Sequence, residues 1–281
     1  MSHMLRNAMV GLTALVAVST GSALAQEQGR LEQVLARGHL IVGTGSTNAP
    51  WHFKDESGNL VGFDIDIAKL IAKGLFKDDT KIEFVDQSSD ARIPNVTTDK
   101  VDITCQFMTV TAERAQQVNF TIPYYREGVA LLVSANGKLK TYDDLKKAGS
   151  GATVSVLQNV YAEDMVHAAL PEAKVDQYDS VDLIYEALNS GRADAAATDQ
   201  SSAKWLIVQS PGKYLDAGVG WNPQSYSCAV KRGDQDWLNF VNTTLHEAMT
   251  GVEFGSYSAS FKKWFGVDLP QPAIGFPVEY Q

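Results

Sequence analysis

The chain has 281 residues and a net charge of −9, from 24 Lys and Arg against 33 Asp and Glu. With no basic run and no arginine–aromatic cluster, it lacks the pattern that tracks a phosphate backbone, so nucleic acid is not an expected partner. Its two cysteines, Cys105 and Cys228, lie far apart, outside any CxxC and away from histidine at ligand spacing, so no metal or other cofactor is expected. They read either as a pair or as two buried thiols.

Met1 to Ala25 combines Arg6, the apolar run Ala8 to Val18 and the small residues Ala23-Leu-Ala25. That is the pattern of a secretory signal peptide cut after Ala25. No later stretch reaches the roughly eighteen apolar residues of a membrane span. The expected mature protein is exported, and long enough for one large domain or two of ordinary size.

Leu31, Val34 and Leu35 predict a short amphipathic helix over Gln26 to Gly38, and Leu40-Ile-Val42 a buried strand. The strand opens into Gly43 to Pro50, turn formers and hydroxyls without GxGxxG spacing, so the loop suits a small ligand rather than a nucleotide. After a hairpin at Asp55 to Gly58, Gly62 to Gly74 predicts a helix with Asp64 as N-cap and Gly74 just past its end. Lys81 to Val85 and Val101 to Gln106 read as further strands, and their alternation with helices predicts an α/β fold with ligand groups at the carboxyl ends of parallel strands.

The third strand delivers Gln106 to Ala115, with Thr111 as the expected N-cap of a helix. Glu113 suits the positive end of the helix dipole and Arg114 opposes it, so Arg114 either reaches back to solvent or awaits an anion. The pattern of helix end, turn, basic residue, small apolar residue, Asp and strand occurs at Asn95 to Ile103 and again at Ala187 to Ala195. Thr109 follows the first copy and Asp199 the second, each at the end of a short strand. Two units of similar plan would present one anion-binding end and one acidic end; for Asp199, helix capping stands beside that reading. Val129 to Val133 reads as a strand leaving the first unit, Thr141 to Asp144 as a capping box, Val154 to Val156 as a strand and Leu157 to Tyr161 as a loop lining a cleft. Ser225 to Val230 reads as the strand that returns.

Leu40 to Thr44, Gly62-Phe-Asp-Ile-Asp66, Arg92-Ile-Pro94, Thr109-Val-Thr-Ala-Glu-Arg114, Pro123-Tyr-Tyr125, Gly191-Arg-Ala-Asp194 and Lys263-Trp-Phe265 together resemble the polar amino-acid-binding proteins of bacterial ABC importers, the family 3 periplasmic solute-binding proteins. The resemblance implies a two-lobed periplasmic-binding-protein fold of type II. Its lobes would be residues 26–127 with 227–281, and 128–226, joined by two crossover strands around a ligand cleft. It further implies a monomeric periplasmic protein, not an enzyme, with an amino acid and an importer permease as partners. Arg114 and Thr109 would bind the ligand α-carboxylate, the Phe107 backbone and Asp199 the α-ammonium, and Cys105 would pair with Cys228 on the neighbouring strand.

Departures from the family fall on the side-chain pocket. Gly45 stands in place of an acid, and Asn48 and Ser89 in place of an aromatic sandwich. With Gln158, Tyr161 and Trp51 as a wall, these predict a polar, neutral or acidic ligand side chain, or a bulkier conjugate. The rival is an enzyme on the same scaffold like cyclohexadienyl dehydratase. Its catalytic glutamate follows Thr-Asp by three positions, where this chain has Gln200, Ser201 and Ser202 after Asp199.

Overall fold

The computed structural model describes residues 29–275 and 277; the predicted signal peptide lies outside the described residues. Two five-stranded sheets organise the rest. In the first, the order is Ile82–Asp86, Leu40–Thr44, Ile103–Thr104, Ala229–Val230 and Asn119–Phe120. Leu40–Thr44 runs parallel to both of its neighbours. Leu40 and Val42 pack with Phe63, Ile67 and Ile71 of helix Phe63–Phe76, while Ile41 packs on the other face with Val96 and Val101. Both faces are covered, which is why the strand reads as an apolar run rather than an alternation. Helix Gln235–Thr250 adds Trp237, Val241, Leu245 and Ala248, at helical spacing, to the same core.

The second sheet has the order Lys174–Tyr178, Thr153–Leu157, Ala195–Asp199, Tyr125–Ser134 and Tyr214–Tyr226. Along Tyr125–Ser134, Val129, Leu131 and Val133 enter one core, and Ala130 and Leu132 the other. Tyr125–Ser134 and Tyr214–Tyr226 pair antiparallel, from Tyr226 opposite Tyr125 to Tyr214 opposite Ser134. These two strands are the crossovers. The chain leaves the first sheet after Phe120 and re-enters it at Ala229.

The repeated motif has the same structural job in both units. Asp102 accepts the Ile41 N–H at 2.8 Å and its own N–H donates to the Ile41 carbonyl. Asp194 accepts the Thr153 N–H at 2.9 Å and donates back to the Thr153 carbonyl. Each aspartate thus fixes the start of a neighbouring parallel strand.

Several local expectations are corrected. The helix starts after Gly62, not Asp64, and runs past Gly74 to Phe76. Gly62 has φ of 134°, and a Cβ there would lie 2.1 Å from the Trp51 carbonyl oxygen, so glycine is required. The returning strand begins at Tyr214 and is interrupted at Ser227 and Cys228 before Ala229–Val230. The capping box at Thr141 and Asp144 forms as expected, and Thr111 caps Ala112–Ala115 by accepting the Arg114 N–H. Cys105 and Cys228, both fully buried, form a disulfide.

Candidate ligand-binding site

Between the two sheets lies a cavity of about 620 Å³. The first unit contributes Asn48, Arg92, Phe107, Thr109 and Arg114, and the second contributes Tyr161 and Asp199. Asn222, Gln224 and Tyr226 line it from the second crossover strand.

Thr111, as N-cap, turns the chain so that Arg114 folds back over the preceding loop. The Arg114 Nη1 donates to the Thr109 carbonyl at 3.0 Å, and the guanidinium lies 5.1 Å from the centre of the Tyr161 ring. Tyr161 itself bonds through its hydroxyl to Thr111 Oγ1 at 2.7 Å. Thr109 is pinned against the crossover strand, pairing with Tyr226 and donating its hydroxyl to Gln224. Arg114 is 8% exposed and forms no ion pair among the described residues. Burial holds its pKa below the ordinary arginine value.

A second guanidinium, which the sequence pattern does not assign to the cleft, stands beside it. Arg92 is 4% exposed; its Nε donates to the Ser89 carbonyl at 2.7 Å and its Nη1 to the Gln106 carbonyl at 3.1 Å. Burial first, and then the like charge of Arg114, push its pKa down to about 9. Two buried cations therefore face this cavity without a carboxylate partner from the described chain.

Opposite in character is Asp199. It occupies the N-cap position of helix Gln200–Gln209, yet its side chain makes no capping bond. Oδ1 accepts the Tyr226 hydroxyl at 2.6 Å, and Oδ2 is sealed from solvent with no partner among the described residues. Burial, then the charge of Glu127, raises its pKa well above the ordinary carboxylate value. Capping is thus not its role. Glu127, on the first crossover strand, is also buried and raised by burial; it accepts from the Ser201 hydroxyl and the Gly128 N–H. Glu127 does not line this cavity.

Arg114, Thr109, Phe107, Asp199, Asn48 and Tyr161 are brought together, whereas Trp51, Ser89 and Gln158 are not among the lining residues. Trp51 is fully buried in the first core, edge-on to Tyr125 and Tyr226, with its indole N–H on Ser201 Oγ at 3.0 Å. Ser89 meets Arg92 through its carbonyl, and Gln158 is exposed. Gly45 is explained by crowding: a Cβ there would lie 2.8 Å from His52 and 3.0 Å from Gln106. Arg92 belongs to the Arg92-Ile-Pro94 motif of the family resemblance, but a basic residue opening a short helix carries no local sign that it faces a cleft. Among the described residues, no cluster of His, Cys, Asp or Glu could hold a metal.

Two α/β units, two crossover strands and a charged cleft define a two-lobed binding protein. Residues 40–267 match the model of the bacterial extracellular solute-binding proteins, family 3, and the chain belongs to that family. It is 28% identical over 272 residues to the L-cystine-binding protein TcyJ of Escherichia coli (strain K12), covering 96% of this chain and 98% of that one. Among solved structures it is similar to a mutant of ArgBP from T. maritima, at 32% identity and a TM-score of 0.74, over 85% of this chain and 100% of that one. It is also similar, at 33% identity and a TM-score of 0.72 over the same shares, to the ancestral amino acid-binding protein AncCDT-1, a precursor of cyclohexadienyl dehydratase.

Proposed function

We propose that this protein is a periplasmic monomer that captures one α-amino acid with a polar neutral or acidic side chain, or a derivative of one, and delivers it to an ABC importer permease. The lobes in this reading are residues 26–127 with 227–281, and 128–226. The observation that carries it is the pairing of two buried, uncompensated guanidiniums on one side of the cavity with an unpartnered carboxylate oxygen of Asp199. A zwitterion supplies both missing partners at once, and a buried charge is tolerated when it is paired. Arg114 and Thr109 take the α-carboxylate, and Asp199 with the Phe107 carbonyl takes the α-ammonium. Arg92 adds a second cation, which favours an acidic or amide side chain and opposes lysine or arginine.

A thermal-shift screen of the common amino acids, followed by calorimetry on those that stabilise the fold, tests this reading. Stabilisation by neutral polar or acidic amino acids is expected. Micromolar binding of arginine or lysine with no response to the others would overturn the side-chain assignment. The likeness to a dehydratase precursor supports a second reading, a lyase on the same scaffold. Against it, Gln200, Ser201 and Ser202 supply no acid after Asp199, and the Glu127 carboxylate is engaged by Ser201 and Gly128. Turnover of prephenate or arogenate would favour it.

A further inference from the structure

Asp64 lies in the first turn of helix Phe63–Phe76, outside the cavity, and is fully buried. Its carboxylate does no work for its own helix. Oδ2 accepts the Phe107 N–H at 2.9 Å and meets His52 Nδ1 at 2.8 Å, while Oδ1 accepts the Tyr124 hydroxyl at 2.6 Å. Phe107 has a φ of 35°, in the left-handed region that a bulky residue seldom occupies. Such a conformation persists only where its surroundings over-determine it.

The surroundings here are charged at both ends of one peptide. Asp64 accepts from the N–H of the Gln106–Phe107 peptide, and Arg92 donates to its carbonyl at 3.1 Å. The Phe107 ring stacks on His52 at 4.6 Å, and the Arg92 guanidinium lies 5.5 Å from its centre. Held this way, the next carbonyl, that of Phe107, has no donor bonded to it among the described residues.

We propose that Asp64 is a positioning residue for ligand recognition: with Arg92 it clamps the Gln106–Phe107 peptide, and so holds the Phe107 carbonyl in place for the ligand's ammonium. The proposal rests on the amino-acid reading above for the identity of that ammonium, and on the geometry alone for the clamp. Asp64→Asn is close to isosteric and removes the charge. It should move the Phe107 amide proton upfield in the NMR spectrum of the ligand-free protein, because the N–H loses a carboxylate acceptor.

Calorimetry with L-glutamate and L-glutamine, against their amine-free counterparts glutarate and glutaramate, reads the consequence. The variant should lose about 10- to 100-fold for the amino acids, as for one charge-assisted hydrogen bond, and markedly less for the amine-free acids. Equal losses for both sets would reduce Asp64 to general support of the fold and overturn the proposal. If the wild type binds neither amino acid, the functional reading is what fails, and an unmoved Phe107 signal in the variant would then overturn the clamp. Should Asp64→Asn be too unstable to measure, Tyr124→Phe, which frees the other carboxylate oxygen, should shift the same signal and the same selectivity in smaller measure; no shift in either overturns the proposal.

Discussion

Arg114 is held by one backbone carbonyl and a ring face, so its charge is answered only when an anion enters. Arg114→Ala should therefore abolish most binding, a loss of about 2–5 kcal/mol or roughly 30- to several-thousand-fold in affinity. The melting temperature of the ligand-free variant should hold or rise, because no ion pair among the described residues is broken. Calorimetry showing less than a several-fold change in affinity would contradict this. Asp199 predicts a pH dependence of opposite sign in two measurements. Its folded pKa is raised, so the native state binds a proton that the unfolded state has already lost. Between the unfolded value of about 4 and the raised folded value, this group makes the ligand-free protein less stable as pH rises. On the proposed pairing of Asp199 with the ligand's ammonium, affinity should run the other way, falling on acidification as the carboxylate is neutralised. Glu127 is raised as well and adds to the stability trend. Affinity that is flat from neutral pH down to about pH 5 would show that Asp199 does not pair with the ligand's charge.

At the level of elements, the disulfide joins the end of one central strand to the start of its neighbour across a separation of 123 residues. Closing a loop of that length stabilises by about 4–5 kcal/mol through the unfolded chain. Denaturant unfolding of the protein with Cys105 and Cys228 both changed to Ser should show a loss of this order, and an unchanged midpoint would contradict it. What the sequence made legible follows the same scale. Strands covered on both faces, such as Leu40–Thr44 and Val129 to Val133, announce themselves as apolar runs, and the Asp102 and Asp194 motifs exposed the two-unit plan. Gly-x-Asp before a helix has the local chemistry of a cap, so Asp64 reads as one; its partners, among them the Phe107 N–H 43 residues on, are brought to it only by the fold. Trp51 reads as a pocket wall because a tryptophan beside a loop gives no sign of which face it buries. Arg92 is the converse case: its bond to the Ser89 carbonyl is local, and only the fold brings the Gln106 carbonyl, 14 residues on, and the cavity beside it.

For the molecule as a whole, the two units touch across the cleft through identifiable bonds. Trp51 donates to Ser201, Ser202 to the side-chain oxygen of Asn48, and Thr111 meets Tyr161. Each is worth about 0.5–1.5 kcal/mol net, and the Trp205 ring of the second unit packs against Phe53 and Trp264 of the first, so a small set of contacts joins the units. Arg92 and Arg114 add like-charge repulsion inside the closed cavity. On the proposed reading, a ligand bridging Arg114 on one unit and Asp199 on the other would interact with both only when the cleft is shut, and that differential affinity would shift the population. Small-angle X-ray scattering should accordingly show a smaller radius of gyration with the ligand than without it. Trp51→Phe removes one closing bond at a residue outside the cavity. It should weaken binding by up to about tenfold, the equivalent of a single hydrogen bond, while leaving the compaction at saturating ligand intact. If Trp51→Phe leaves the affinity unchanged, the Trp51–Ser201 bond does not contribute to closure, and the coupling between the units lies in the ligand alone.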